Sequence, residues 1–126
     1  MVAIYDLSEF PIVKVDISGS ILNDDDFNDF TSKWLNIYKY KKNFEFIFDT
    51  KNIKYINPLY CIYTAIFIRS IKKNNPLYLT NSKIIIYNKY IFNLAQYIFY
   101  IEKPVAPVEL ILKNNNDTIS SVKINT

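Results

Sequence analysis

The chain has 126 residues, of which 50% are hydrophobic and 21% are charged, and its net charge at pH 7 is +3. This length and balance predict one globular domain with a single core and exclude an intrinsically disordered protein. The charge is mild and the basic residues are scattered, with short clusters only at residues 39–42 and 72–73, so no nucleic-acid partner is expected.

The chain opens with two predicted strands. Residues 2–5 form the first, and the alternation of Ile and Val with Lys and Asp over residues 11–18 predicts a half-buried second strand. Residues 7–9 join the two strands as a hairpin. Gly19, the only glycine, follows directly and indicates a turn or a close approach of the backbone.

A helix follows, with Asn23 as its cap and three acids, residues 24–26, in its first turn. Carboxylates favour the amino end of a helix, and consecutive residues point in different directions, so a helix start is expected here and not a metal site. The helix carries one apolar stripe at helical period. Its members are Phe27, Phe30, Trp34, Ile37 and Tyr38.

The centre of the chain predicts a strand, a loop and a buried helix. The strand spans residues 44–48, is apolar on nearly every side chain and ends at Asp49, as expected for a central strand. A polar turn then leads to Asn57 and Pro58, which open a helix in the order that helices prefer. This helix is almost wholly apolar over residues 59–71, which predicts packing on the sheet and a second covered face.

The last third predicts a strand, a helix and a strand. They are Lys83–Tyr87, a helix capped by Asn88 and stopped by Pro104, and Val108–Leu112. The polar composition of residues 113–126 predicts a flexible tail that follows a domain at residues 1–112. The fold class is therefore α/β, with a mixed and mostly parallel sheet of about four or five strands, an N-terminal hairpin and about three helices mainly on one face.

The sequence resembles the STAS domain, the fold of anti-sigma-factor antagonists and of sulfate-transporter tails. The resemblance spans residues 4–112. It rests on IVKVDISGSI, in which Gly19 closes the strand, on FEFIFDTKNIKYIN, and on KIIIY followed by a helix and VELIL. The second of these segments is similar to the family signature of an apolar strand, an Asp, and then Ile-Asp-Ser-Ser-Gly-Leu.

The chain departs from the family at the phosphorylation site. Where the family's regulators carry Asp-Ser-Ser-Gly, this chain reads Asn57-Pro58-Leu59-Tyr60. Leu59 stands at the position of the phosphorylated serine and has no hydroxyl, so phosphorylation is not expected to switch binding. A lipid-binding branch of the superfamily also lacks this serine.

The resemblance implies a non-enzymatic module that binds another protein constitutively. STAS-like domains dock partners through the loop before the second helix and that helix's first turns. The residues predicted to form this surface are Asp49, Lys51, Asn52, Lys54, Asn57, Leu59, Tyr60 and Tyr63. Tyrosine suits an interface because it combines apolar area with a hydroxyl group. Alternatively, the tyrosines reflect codon bias and line the rim of the core.

Two alternative functions stay open. One is a structural subunit of a large assembly, such as a virion or an organellar complex, or a homo-oligomer, because the aromatic content of 17% could cover flat interfaces. The other is an apolar-ligand or lipid carrier with a pocket between the sheet and the third helix, at Phe92 and Phe99. An enzyme is not expected, because Asp16, Asp49 and Glu109 lie on strands without an accompanying base, metal cluster or phosphate loop.

The scarcity of histidine and cysteine narrows the chemistry further. The chain has no histidine and one cysteine, which excludes His-based metal sites, Ser-His or Cys-His nucleophile pairs and an internal disulfide. Cys61, inside the apolar helix, is expected to be a buried structural thiol. No cofactor, metal or membrane span is predicted, and the expected location is the cytoplasm or another reducing compartment, including a host cytoplasm or a virion. The abundance of Ile, Asn, Lys and Tyr indicates an AT-rich genome, which includes those of large DNA viruses.

Overall fold

A computed structural model describes residues 3–126. Met1 and Val2, the latter predicted to begin the first strand, lie outside the described residues. The elements in chain order are β1 (Ala3–Asp6), β2 (Ile12–Ile21), α1 (Asp24–Ile37), a 3-10 helix (Tyr38–Tyr40), β3 (Phe44–Ile56), α2 (Leu59–Asn74), β4 (Leu79–Ile86), α3 (Lys89–Ile101), β5 (Val108–Asn114) and β6 (Asp117–Ile124).

The six strands form one mixed sheet in the order β1-β2-β3-β4-β5-β6. The four central strands are parallel, and an antiparallel strand closes each edge. Every parallel connection moves to the next strand in the same direction, and such crossovers are right-handed, so α1, α2 and α3 all lie on one face. The α/β class, the mixed sheet and the N-terminal hairpin are confirmed, while the strand number is six.

One set of alternate side chains from every central strand faces the helices. Val15 lies beside Phe48, Phe48 beside Ile84, and Ile84 beside Leu110. Val15 and Leu110 are almost fully buried. The predicted apolar stripe of α1 packs on this face, and Trp34 lies at its centre, with ring centroids 5.0 Å from Phe46 and 5.3 Å from Phe67. Trp34 is therefore a core residue, as the periodicity predicted.

The opposite face of the sheet carries no helix in the described part of the chain. One row across it runs from Lys14 through Ile47, Lys83 and Glu109 to Lys123. These side chains are exposed or half-buried, and four of the five are charged, namely three lysines and one glutamate. β3 is a central strand with a partner on each side, as its apolar sequence predicted, and the three helices form one layer that covers only one side of the sheet.

The predicted loop after Asp49 is a strand instead. β3 continues to Ile56 because β2 also continues, to Ile21, and the two strands pair along their whole length. Gly19 does not close β2. It lies inside the strand at a bulge with φ of +74°, and a Cβ there would meet nothing within 4 Å. Its backbone conformation, and not a lack of space, accounts for the glycine.

The prediction of a flexible tail over residues 113–126 is also wrong. Residues 114–117 make a tight hairpin in which Asn115 has a left-handed φ of 56°, a conformation that Asn tolerates. β6 then returns along β5, and its Val122 and Ile124 pack against the buried cluster that contains Ile86 and Leu110. The C-terminal segment is therefore part of the domain.

Candidate functional site

The predicted site residues divide between β3 and α2. Beyond Asp49, β3 pairs only with β2, so the two strands extend past the sheet as a ribbon. Lys51, Asn52 and Lys54 lie exposed on this ribbon. Asp49 is half-buried, and its carboxylate accepts a hydrogen bond from the Lys51 N–H at 2.9 Å.

Asn57 connects the ribbon to α2. Its backbone N–H donates to the Ile21 carbonyl at 3.1 Å, and its side-chain oxygen accepts from the Leu59 N–H at 3.1 Å. An amide N–H in the first turn of a helix has no partner within the helix, so this side chain satisfies one of them. Asn57 therefore stabilises the start of the helix, as its position before Pro58 predicted, although Pro58 is the N-cap and the helix begins at Leu59.

Tyr60 lies in the interior and not on the surface, with only 7% of its area exposed. Its hydroxyl donates to the Asp24 carboxylate at 2.9 Å, and its ring lies 5.6 Å from Phe27 and 5.3 Å from Tyr63. Burial and then the hydrogen bond to Asp24 raise the pKa of Tyr60 to about 12. This side chain ties the first turn of α2 to the first turn of α1, so it offers little area for contact with a partner.

Leu59 and Tyr63 belong to a larger exposed feature, which we name the α2 stripe. It consists of Leu59, Ile62, Tyr63 and Ile66, with exposed fractions of 46%, 38%, 37% and 53%. Their spacing of three, four and seven residues places them on one side of the helix. Scattered exposed apolar side chains are normal on a protein surface, but a contiguous row of them is typical of an interaction site.

Ile62 and Ile66 were missed as site residues by the sequence analysis. The signal was present, because the helix is apolar on more than one side. The side that faces the sheet is filled by Cys61, Ala65 and Ile68, each at most 2% exposed. The second side, expected to be covered, is exposed in the isolated chain.

Charges of opposite sign flank the two ends of the α2 stripe. At its amino end lie the acids of the first turn of α1, residues 24–26, brought close by the Tyr60–Asp24 hydrogen bond. At its carboxyl end lie Arg69, Lys72 and Lys73. Arg69 donates to Glu102 at 2.8 Å, and Lys72 also pairs with Glu102. Hydrogen bonds from Lys72 and Arg69 lower the pKa of this carboxyl group.

Comparisons with protein-family models, with curated proteins and with solved structures find no match to this chain. Residues 3–126 contain no cluster of three or more His, Cys, Asp or Glu side chains that could hold a metal ion. Within the same residues, no helix is both long and apolar enough to cross a membrane.

A second feature is an apolar cavity of about 130 Å³ between the sheet and the helices. Phe99 lines it, as predicted for a ligand pocket, whereas Phe92 instead lines a separate groove beside β6. Cys61 also lines the cavity and is 1% exposed. Burial raises the pKa of its thiol to about 11, so the thiol stays protonated near neutral pH and is a poor nucleophile.

The strand carboxylates of Asp16, Asp49 and Glu109 belong neither to the α2 stripe nor to the apolar cavity. Asp16 and Asp49 are neighbours across β2 and β3 on the open face of the sheet, whereas Glu109 lies in a different row, beside Lys83 and Lys123. The apolar cavity is on the other face, under the helices. The structure therefore does not bring these acids together around a pocket that could hold a substrate.

Proposed function

We propose that this chain is a non-enzymatic protein-interaction module that binds its partner through the α2 stripe. The observation that carries the proposal is the row of four apolar side chains exposed over two turns of one helix. The resemblance to STAS domains supports it, because those domains use the start of the same helix. Leu59 at the phosphoserine position supports constitutive binding.

The α2 stripe alone is too small to hold a partner in a stable complex. Full burial of one large apolar side chain contributes about 1.5–3 kcal/mol, and these four are already about half-buried, so covering them contributes about 3–6 kcal/mol. Association itself costs about 4–15 kcal/mol. A stable complex therefore needs contacts beyond the stripe, and the charged groups at its two ends are the nearest to supply them.

The test of this proposal is the replacement of Ile66 by serine. We expect Ile66→Ser to reduce capture of the partner at least several-fold, because it removes the most exposed apolar side chain of the stripe without touching the core. The measurement is quantitative mass spectrometry of proteins retained from the native source by tagged variants. An untagged copy of this chain that is retained by the tagged chain counts as a partner in this measurement.

Ile4→Ser is the matched control. Ile4 is 55% exposed, close to the 53% of Ile66, but lies on the open face of the sheet. A partner retained by the unmodified chain and by Ile4→Ser, but lost from Ile66→Ser, supports the proposal. A partner retained equally by Ile66→Ser would contradict it.

The cavity favours a second candidate function, the binding of a small apolar molecule. An apolar cavity of about 150 Å³ is large enough to bind benzene, and this one is of similar size. Its wall includes Ala95, a small buried residue on α3. Both observations are compatible with an apolar ligand held between α3 and the sheet.

We expect indole or benzene to raise the thermal unfolding temperature of the chain by a few degrees at saturating concentration, since a ligand stabilises only the folded state that it binds. Ala95→Leu should abolish the shift, because the larger side chain fills part of the cavity. Differential scanning calorimetry measures the shift, and native mass spectrometry shows any ligand that co-purifies. The absence of both a shift and a bound mass would exclude this candidate.

A further inference from the structure

We propose that the partner of the α2 stripe is a second copy of this chain, with the two α2 helices packed antiparallel about a two-fold axis. This inference rests on the proposed function, because it assumes that the stripe is an interface. The observation behind it is the distribution of charge around the stripe, which is acidic at one end and basic at the other.

An interface between identical copies must be complementary to itself. In a two-fold dimer the same patch serves both partners, so if one residue contacts a second residue of the partner, that second residue contacts the partner's copy of the first. Acids beside one end of the stripe, apolar side chains along it and bases at the other end satisfy this condition when the helices run antiparallel. A parallel arrangement would instead place the acidic turns of α1 near each other.

The spacing along α2 fixes the position of the axis. The midpoint of the stripe lies between Ile62 and Tyr63, so an axis there sets Leu59 opposite the partner's Ile66. Arg69 and Lys73 lie about 10–16 Å from this midpoint, at the helical rise of about 1.5 Å per residue. They extend past the partner's Leu59 toward the partner's α1, where Asp24 and Asp25 are exposed.

The surface around the stripe can supply the remaining area. A stable dimer buries about 800 Å² on each subunit, which is more than four half-buried side chains offer. The neighbouring helix α3 is held to α2 by the Glu102 ion pairs with Arg69 and Lys72, and to the end of β3 by a hydrogen bond from the Tyr90 hydroxyl to the Ile56 carbonyl at 3.3 Å. It adds two exposed tyrosines, Tyr90 and Tyr97, each 45% exposed, and tyrosine is enriched in protein interfaces.

Sedimentation equilibrium of the purified full chain tests the dimer. We expect a monomer–dimer equilibrium that weakens as salt rises, because the flanking charges are screened. Ile66→Asp should give a monomer at all concentrations, and Ile66→Ser should weaken the dimer, whereas its matched control Ile4→Ser should dimerise as the unmodified chain does. Circular dichroism confirms that Ile66→Asp is folded, which is expected because the side chain is exposed.

Charge reversal tests the antiparallel orientation independently. Lys73→Glu and Asp25→Lys should each weaken the dimer about tenfold, because each substitution acts at both ends of the interface. The double variant should recover most of the affinity, since it exchanges the two signs. Two single variants that weaken the dimer without recovery in the double variant would overturn the orientation.

Two results would overturn the inference itself. The first is an unmodified chain that stays monomeric up to millimolar concentration, and the second is a dimer that Ile66→Asp leaves unchanged. In the first case a different protein lost specifically from Ile66→Ser in the capture experiment would leave the proposed function standing. The failure of the dimer and the failure of the interface are therefore distinguishable.

Discussion

Replacing Trp34 with alanine should lower the free energy of unfolding by about 3–5 kcal/mol, the range for truncating a large aromatic side chain in a core. Trp34 is 7% exposed and touches both the sheet and α2, through Phe46 and Phe67. Its removal leaves a cavity between α1, α2 and β3. Because it is the only tryptophan, unfolding in urea should be followed by far-ultraviolet circular dichroism and not by fluorescence.

Trp34→Phe is the control for this effect. The indole Nε1 and the Tyr38 hydroxyl are both buried and make no hydrogen bond of good geometry among the described residues. Burial raises the pKa of Tyr38, although the Trp34 indole is close enough to lower it against this effect. Loss of the indole N–H should therefore carry little separate cost. We expect Trp34→Phe to lower the free energy of unfolding by less than half as much as Trp34→Ala does. A loss below about 1 kcal/mol for Trp34→Ala would contradict the placement of Trp34 at the centre of the core.

Ending the chain after Asn116 should destabilise it by about 3 kcal/mol or more. The truncation removes β6, and with it the half-buried Val122 and Ile124, each of which contributes about 1 kcal/mol of burial. It also removes the ladder of backbone hydrogen bonds to β5, each with a net contribution of about 0.5–1.5 kcal/mol. Urea unfolding of the truncated and full-length chains measures the difference.

The matched control is a chain that ends at Ile124. It lacks only Asn125 and Thr126, which are exposed and lie beyond β6. This shorter truncation should leave the unfolding midpoint unchanged. Equal midpoints for all three chains would mean that residues 117–124 are not part of the folded domain in solution.

The elements that could be predicted from the sequence are those with strong local signals. The apolar stripe of α1, its Asn23 cap and the helix start at Asn57 depend on residues within one or two turns, and the structure has them as expected. The burial of Cys61 belongs to the same group, because the helix around it is apolar on most sides.

The errors occurred where pairing between distant segments decides the structure. Residues 50–56 were predicted to form a loop because they contain the polar residues Lys51, Asn52 and Lys54. They form a strand because β2 continues beside them through the bulge at Gly19. The β6 segment has few apolar residues and was therefore predicted to belong to a flexible tail. Its signals were the Asn-rich turn and the alternation of Val122 with Ile124, which become meaningful only beside β5.

The candidate site was predicted only in part for a similar reason. Helical periodicity showed that α2 is apolar on two sides, but periodicity cannot show which side is left without a covering layer. The strand order answers that question, because it places α2 between α1 and α3 in a single layer. Leu59 and Tyr63 were therefore predicted, Ile62 and Ile66 were missed, and Tyr60 proved to be buried.

Binding through the α2 stripe is tested by the dissociation constant of the captured partner for purified variants of the chain. We expect Ile66→Ser to weaken binding about tenfold, the effect of losing roughly 1.4 kcal/mol of apolar burial. Ile4→Ser should bind within about twofold of the unmodified chain, since a factor of two is under about 0.5 kcal/mol. Equal dissociation constants for Ile66→Ser and the unmodified chain would contradict binding through the α2 stripe.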